Sequence, residues 1–296
     1  MATGTPALSH ISDTARWVAM YRAMESERPD ALFQDPFARR LAGPQGEEIL
    51  RDLPRARAFA WPMIVRTAVM DELILRAIAR DHVGTVVNLA AGLDTRPYRL
   101  AVPPALRWIE ADFPDVIDYK EGVLAQARPV CKLERRRIDL TDGERRRGLF
   151  AEIAAEAGPP PQPVLVVTEG LLIYLTREQV DGVARDLARH ASFRLWLTDL
   201  ASPRLLKFME RTWSKSLAAA GAPFQFAPPE GSKFFEAAGW REVEWRSMWD
   251  ESLRLNRTMR LAWLWKLLAL LSSEAKREEG RRMSGVLLLE RSVRGG

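Results

Sequence analysis

From Thr85 onward, short β-branched or apolar runs alternate with helical patterns, and this alternation restricts the fold more than any other feature of the chain. The runs are "TVVNL", "RWIEAD", "RRRID", "PVLVVTEG", "FRLWLTDL", "WREVEW" and "SGVLLLER". Parallel strands need crossover connections, and helices between them cover both faces of a sheet. The pattern therefore predicts an α/β fold built on a doubly wound, mostly parallel seven-stranded sheet. Ahead of it, residues 12–82 read as helices: "SDTARWVAMYRAMESE" offers Ser12 or Asp13 as N-cap, and "MIVRTAVMDELILRAIARD" repeats apolar residues at spacings of three and four. Around residues 203–230, "KFMERTWSKSLAAAGAPFQFAPP" interrupts the alternation and reads as an inserted helical lid. The chain is expected to form one domain over 1–296, with a helical cap at 12–82, a core at 83–202, the lid at 203–230 and the rest of the core at 231–296.

With 296 residues and 47% hydrophobic content the chain can bury a substantial core. Its 44 Lys and Arg against 39 Asp and Glu leave +5, which is compatible with an anionic partner without requiring one. No nucleic-acid-binding module is recognisable, so nucleic acid is not an expected partner. Cys131 is the single cysteine, and His10, His82 and His190 are scattered, which argues against a disulfide framework and against a His/Cys metal site. A reducing, cytoplasmic setting is expected. "MATGTPALSH" has neither a basic start nor an apolar core, so no signal peptide is expected. The densest apolar run, "MRLAWLWKLLALL" (259–271), carries Arg260 and Lys266 and is too short to span a bilayer. It reads as a buried helix, with a membrane-surface or partner helix as the alternative.

Four stretches carry chemistry. In open α/β sheets, ligands sit beyond the carboxyl ends of the strands where the chain order reverses. "VVNLAAGLDTRPYRL" runs a strand into Ala90, Ala91 and Gly92, small enough for a close backbone approach, and then into Asp94, Arg96, Tyr98 and Arg99. A tight β-to-α turn that merely packs is the other reading. "WIEADFPD" ends a strand with Glu110 and Asp112, about twenty residues after Gly92, the separation at which a carboxylate accepts from both hydroxyls of a ribose. Asp112 or Asp115 could instead cap the following helix. In "IDLTD", Asp139 could accept from an adenine amino group while Leu140 packs on the base, or could serve a cap or a turn. In "VVTEGLLIYLTREQV", an apolar strand runs into Glu169 and Gly170 and on to Tyr174; a carboxylate at that position needs a partner or faces a ligand.

These stretches, in this order, with "YRAMESERPDALFQDPFARRLAG" and "IVRTAVMDELIL" before them, resemble the leucine carboxyl methyltransferase family. The likeness is greatest to its bacterial branch of S-adenosylmethionine-dependent O-methyltransferases, which includes polyketide carboxyl methyltransferases. The resemblance implies a class I methyltransferase fold with 83–202 as the cofactor-binding core and S-adenosyl-L-methionine as cofactor. It places Ala90, Ala91 and Gly92 at the methionine part, Arg66 at the methionine carboxylate, Asp112 at the ribose, and Asp139 and Leu140 at the adenine. Glu169 would border the sulfonium with Tyr174 nearby, and Asp94, Phe113 and Gly170 fall within the same motifs. The family loop usually reads Gly-Ala-Gly; here it begins with Ala90.

The acceptor implied is the carboxylate of a small molecule. A carboxylate is already ionised near neutral pH and needs an arginine to hold it more than a base. Arg22 is the candidate, with an ion-paired or solvated helix residue as its other reading, and Tyr174 is the second candidate at the reacting centre. No metal is required. Three alternatives stand beside this reading: a nicotinamide-dependent oxidoreductase, for which "AAGLDT" lacks the later glycines; a silent cofactor-binding protein of the same fold; and a methyltransferase acting on RNA or protein.

Overall fold

The computed structural model describes residues 11–52, 56–158, 161–219, 223–259, 262–264 and 272–292. Most of the apolar run 259–271 lies outside them. Seven strands form one sheet: β1 (Thr85–Leu89), β2 (Arg107–Asp112), β3 (Lys132–Arg137), β4 (Val164–Thr168), β5 (Phe193–Ala201), β6 (Trp240–Ser247) and β7 (Ser284–Arg291). Their order is β3-β2-β1-β4-β5-β7-β6. β3 through β5 pair in parallel, and β7 runs antiparallel to both β5 and β6. All seven expected runs are strands. The chain order reverses between β1 and β4, which opens a crevice beyond their carboxyl ends.

Side-chain alternation along the strands sorts the core into two layers. Val87, Leu89, Ile109, Ala111, Val164 and Val166 meet Leu149, Phe150 and Ile153 of α6 (Gly143–Glu156) and Val180, Val183 and Leu187 of α7 (Arg177–Ala188). Val86, Trp108, Leu165, Val167, Leu195 and Leu197 meet Val65, Val69, Leu73 and Ile74 of α3 (Ala60–Arg80) and Met248 of α9 (Met248–Arg254). The short α4 (Arg96–Arg99) follows β1, and α5 (Pro114–Leu124) follows β2. The edge strand β3 is charged along its length, and Arg135 reaches back to Glu110 of β2 at 2.9 Å, a device that blunts an exposed edge.

The N-terminal section is helical as expected: α1 (Ile11–Ser26), α2 (Ala38–Asp52), a 3-10 turn at Ala56–Phe59, then α3. Asp13 lies within the first turn of α1 instead of capping it, and accepts from Gln45 at 2.7 Å. A third apolar cluster holds α1 and α2 together through Ala19, Tyr21, Leu41, Ile49 and Ile64, with Leu206 and Met209 of α8 (Pro203–Ala219) against it. The 203–230 stretch is thus helical in its first part, and residues 223–228 carry no helix. α10 (Glu274–Arg281) leads into β7.

Candidate functional site

A cavity of about 1870 Å³ lies beyond the carboxyl ends of β1, β2, β4 and β5, roofed by α1, α3 and α8. Every residue expected at the cofactor or at the reacting centre lines it: Arg22, Arg66, Ala90, Ala91, Gly92, Asp94, Asp112, Phe113, Asp139, Leu140, Glu169, Gly170 and Tyr174; Tyr98, Arg99 and Glu110 do not. The fold brings the former together because each follows the end of a parallel strand or lies on a helix crossing above those ends.

The turn after β1 is tight. The amides of Ala90 and Ala91 donate to the Ala111 carbonyl at 2.7 and 3.3 Å, and the Gly92 amide donates to Asp112 Oδ2 at 2.6 Å. Asp112 Oδ1 accepts from the Phe113 amide at 2.7 Å, and Phe113, without a side-chain cap, precedes α5. The capping alternative for Asp112 therefore does not describe it. Its carboxylate is held at the end of β2, with lone pairs left over for a ligand. Burial pushes its pKa up, against the opposing pull of the Gly92 and Phe113 amides and of Lys120. Glu110, the neighbouring carboxylate of the same strand, is fully buried and bound to Lys120 at 2.8 Å and Arg135 at 2.9 Å, so it belongs to the scaffold.

Ala90 and Gly92 both take left-handed backbone, with φ of 53° and 48°. At Gly92 an added Cβ would meet the Ala15 Cβ at 3.4 Å, because α1 passes directly over the loop. Ala90 is the departure from the family pattern, and its conformation costs roughly 1–2 kcal/mol for a residue with a Cβ. Ala90→Gly is therefore expected to leave folding stability unchanged or raise it by up to about 1 kcal/mol, since relief of strain offsets the added chain entropy of glycine. Ala91→Gly, at a backbone that is not left-handed, is expected to lose stability; urea unfolding of both variants checks the contrast.

The polar crowd after "VVNL" turns out to be a buried ion-pair network. Arg96, 1% exposed, donates from Nε to Asp71 at 2.6 Å, and its Nη1 lies 3.0 Å from Asp94 and 2.7 Å from Glu169. Arg99 takes both oxygens of Asp71, at 2.6 and 3.0 Å, and Asn88 donates to Asp94 at 2.7 Å. Glu169 accepts from Arg66 Nε at 3.0 Å, and Arg66 Nη1 reaches Asp199 at 3.0 Å. Asp199 also accepts from the Gly170 amide at 2.6 Å. Gly170 has φ of 64°, and a Cβ there would lie 3.2 Å from Arg66 Nη1, so the glycine makes room for the guanidinium. Burial works to raise the pKa of Asp94 and of Glu169, but the arginines overcome it. Arg96, Lys120, Arg99 and Arg22 hold Asp94 well below the usual range, and Arg96 and Arg66 hold Glu169 below its own.

Asp71, Asn88 and Asp199 were not picked out from the sequence as members of this site, although Asp199 lies near the end of an apolar strand much as Glu169 follows one. The network joins four carboxylates to three guanidinium groups, which leaves its cavity edge, at Glu169 and Asp199, with an excess of negative charge.

Arg22 is an ion-paired helix residue. Its Nε donates to Asp35 at 2.9 Å and its Nη2 to the Leu93 carbonyl at 2.5 Å, which fastens α1 to the turn after β1. Asp35 also accepts from Thr95 at 2.7 Å. Asp139 accepts from the Thr141 amide at 2.8 Å and its hydroxyl at 2.7 Å, so it serves the turn that was its alternative role while still lining the cavity. Burial raises the Tyr174 pKa against a hydrogen bond with Thr14 and the charge of Arg66, so the phenol keeps its proton at neutral pH. Its ring lies 5.5 Å from that of Phe224. Among the described residues there is no group of His, Cys, Asp and Glu that could hold a metal, and no helix long and apolar enough to cross a membrane.

A relative from Mycobacteroides abscessus, provisionally named an S-adenosyl-L-methionine-dependent methyltransferase, is 39% identical over 178 residues, covering 57% of this chain and 56% of the relative. One from Streptomyces coelicolor with the same provisional name is 38% identical over 176 residues, covering 57% of this chain and 61% of the relative. The alignments thus span less than two thirds of these relatives' length. Two crystal structures share the fold, each at a TM-score of 0.58 and 14% identity: a DUF574 family protein from Streptomyces avermitilis, over 95% of this chain and 97% of that one, and a provisionally named methyltransferase from Thermobifida fusca, over 97% and 96%. The sequence profile of leucine carboxyl methyltransferase matches residues 15–188, the span holding most of α1, the turn after β1, Asp112 and Glu169, and the chain accordingly belongs to the leucine carboxyl methyltransferase family.

Proposed function

We propose that the protein is an S-adenosylmethionine-dependent methyltransferase that converts a carboxylate of a small molecule to its methyl ester. The observation that carries the cofactor reading is Asp112, a buried carboxylate fixed by two backbone amides at the end of β2, beside a left-handed glycine turn at the reversal point of the sheet. An acceptor-only group with spare lone pairs suits the vicinal hydroxyls of a ribose. The excess negative charge at Glu169 and Asp199 suits a cationic ligand. Ala90, Ala91 and Gly92 would lie along the methionine part, with Asp94 behind the turn. Arg66 would approach the methionine carboxylate with the edge not given to Glu169 and Asp199, and Phe113, Asp139 and Leu140 would surround the base. Gly170 keeps the space in which Arg66 sits.

When bound, the cofactor supplies an electrophilic methyl group on a sulfonium, and the rest is positioning in a dry site. Arg22, with Nε and Nη2 engaged, has Nη1 left to orient an acceptor carboxylate. Tyr174, protonated, can donate to an acceptor oxygen and cannot act as a base at neutral pH. An acceptor that must lose a proton would find no evident base among these groups. With an acceptor in hand, kcat/KM is therefore expected to be nearly flat between about pH 6 and 8, because a carboxyl group has ionised well below that range. A tenfold rise per pH unit would indicate deprotonation of a phenol or alcohol. The acceptor can be found by mass spectrometry of cell extract incubated with the protein and methyl-labelled cofactor. Mild base should then return a methyl ester to the acid and leave an ether intact.

A further inference from the structure

The cavity is larger than a nucleoside-sized cofactor needs, and the part remote from the strand ends has a different character. Its walls are apolar: Trp17, Phe59, Met63, Phe208, Met209 and Phe224 line it. Its outer edge is mainly cationic: Arg57, Arg204, Lys276, Arg277 and Arg281 line it, with Asp250 paired to Arg281 at 3.4 Å. α10 carries Glu274, Glu278 and Glu279 alongside Lys276, Arg277 and Arg281, so the helix as a whole is neutral. Only Lys276, Arg277, Gly280 and Arg281 of this helix line the cavity, and the three glutamates do not. Two of those glutamates are paired, Glu279 with the cavity-lining Arg204 at 3.3 Å and Glu278 with Arg282 at 3.5 Å. α8 shows the same spacing, presenting Arg204, Leu205, Phe208 and Met209 to the cavity while Lys207 and Glu210 do not line it. The Arg204–Glu279 pair brings α10 to the start of α8, and the ring of Phe59, 6.2 Å from Phe208, brings Arg57 to the same helix. Arg57, Lys276 and Arg277 are exposed and form no ion pair among the described residues.

We propose that this rim is a binding site for an anionic group of the acceptor other than the one methylated. The acceptor is then a largely apolar molecule whose body lies along the α1, α3 and α8 wall and whose anionic end docks at Arg57, Lys276 and Arg277. Random placement of charges on a solvated helix would put glutamates on the cavity face as often as lysine or arginine. A rim with an excess of unpaired positive charge over an apolar wall also raises the local concentration of an anionic ligand and speeds its entry. The inference rests on the methyltransferase reading only in that the cofactor occupies the strand-end half.

The test uses the full chain saturated with S-adenosylhomocysteine and two fluorescent probes with one ring system, anilinonaphthalene sulfonate and the neutral phenylnaphthylamine. The sulfonate is expected to bind about five- to tenfold more tightly than its neutral analogue, the range for two or three exposed ion pairs together. Raising the salt concentration should shrink that advantage. The triple variant Arg57→Gln/Lys276→Gln/Arg277→Gln should erase it while leaving the neutral probe and S-adenosylhomocysteine bound as before. Equal binding of the two probes, absence of binding by both, or a parallel loss of both in the variant overturns the proposal. Failure of the unmodified chain to bind S-adenosylhomocysteine, measured first, is a separate result that removes the methyltransferase reading and this inference with it.

Discussion

Replacing Arg96 by methionine is expected to cost about 3–5 kcal/mol of folding stability, the range for removing one partner of a buried ion pair. That is a large share of the roughly 5–15 kcal/mol that holds a domain together. The guanidinium is 1% exposed and touches Asp71, Asp94 and Glu169, carboxylates contributed by α3, the turn after β1 and the end of β4. Without it, they remain buried with less positive charge beside them. Arg96→Lys keeps a cation but cannot reach three carboxylates with one planar fork, so an intermediate loss is expected.

The pH dependence separates this cause from simple loss of packing. In the unmodified protein Asp94 and Glu169 titrate below their unfolded values. The stability they contribute is fully present above the unfolded carboxyl pKa of about 4 and is lost as pH falls through the lower folded values. In Arg96→Met the effect of burial meets weaker opposition, and the folded values move up toward or past the unfolded ones. Acidification then harms the variant less than it harms the unmodified chain. Urea unfolding at about pH 7 and about pH 3.5 should show the gap between them narrowing at the lower pH. A gap that stays constant would mark a packing defect and sink the electrostatic account.

This network is also where reading the sequence alone reaches its end. The strands were legible because a buried parallel strand writes its own apolar run, and Asp112 and Glu169 were legible because each interrupts one. Partners are another matter. Arg96 meets Asp71 across 25 residues and Arg66 meets Asp199 across 133, separations set by the sheet order and recorded in no local pattern. The polar cluster after β1 thus reads equally well as a ligand-facing group or as an internal lattice of charge, and in the structure Asp94, Arg96 and Arg99 are first of all the latter. Arg22 is a similar case: helical spacing locates it on α1, but its commitment to Asp35 and the Leu93 carbonyl depends on how the cap sits over the turn. Ala90 shows the reverse, since its left-handed backbone makes physical sense of the glycine usual at that position in the family.

Asp112→Ala is expected to weaken S-adenosylmethionine binding by about 1–3 kcal/mol, roughly five- to 150-fold in Kd, the cost of losing a charged hydrogen-bond partner. The loss should come with little change in stability. Burial raises the Asp112 pKa, so at neutral pH folding works against its charge, and removing that charge offsets much of what is lost with the Gly92 and Phe113 hydrogen bonds. The raised value also fixes a sign. Asp112 takes up a proton at a higher pH than an ordinary aspartate at about 3.9, while Asp94 and Glu169 are held below their usual values. On mild acidification the carboxylate that would accept from the ribose is therefore the first of the three to be neutralised. Affinity for the cofactor should fall over a pH range in which the ion-pair network is still intact, and Asp112→Ala should abolish that part of the pH dependence. Calorimetric titration of S-adenosylhomocysteine into both proteins at several pH values, with unfolding curves recorded alongside, measures each term. An unchanged Kd in a well-folded variant would take the ribose away from Asp112, and with it the observation on which the cofactor reading stands.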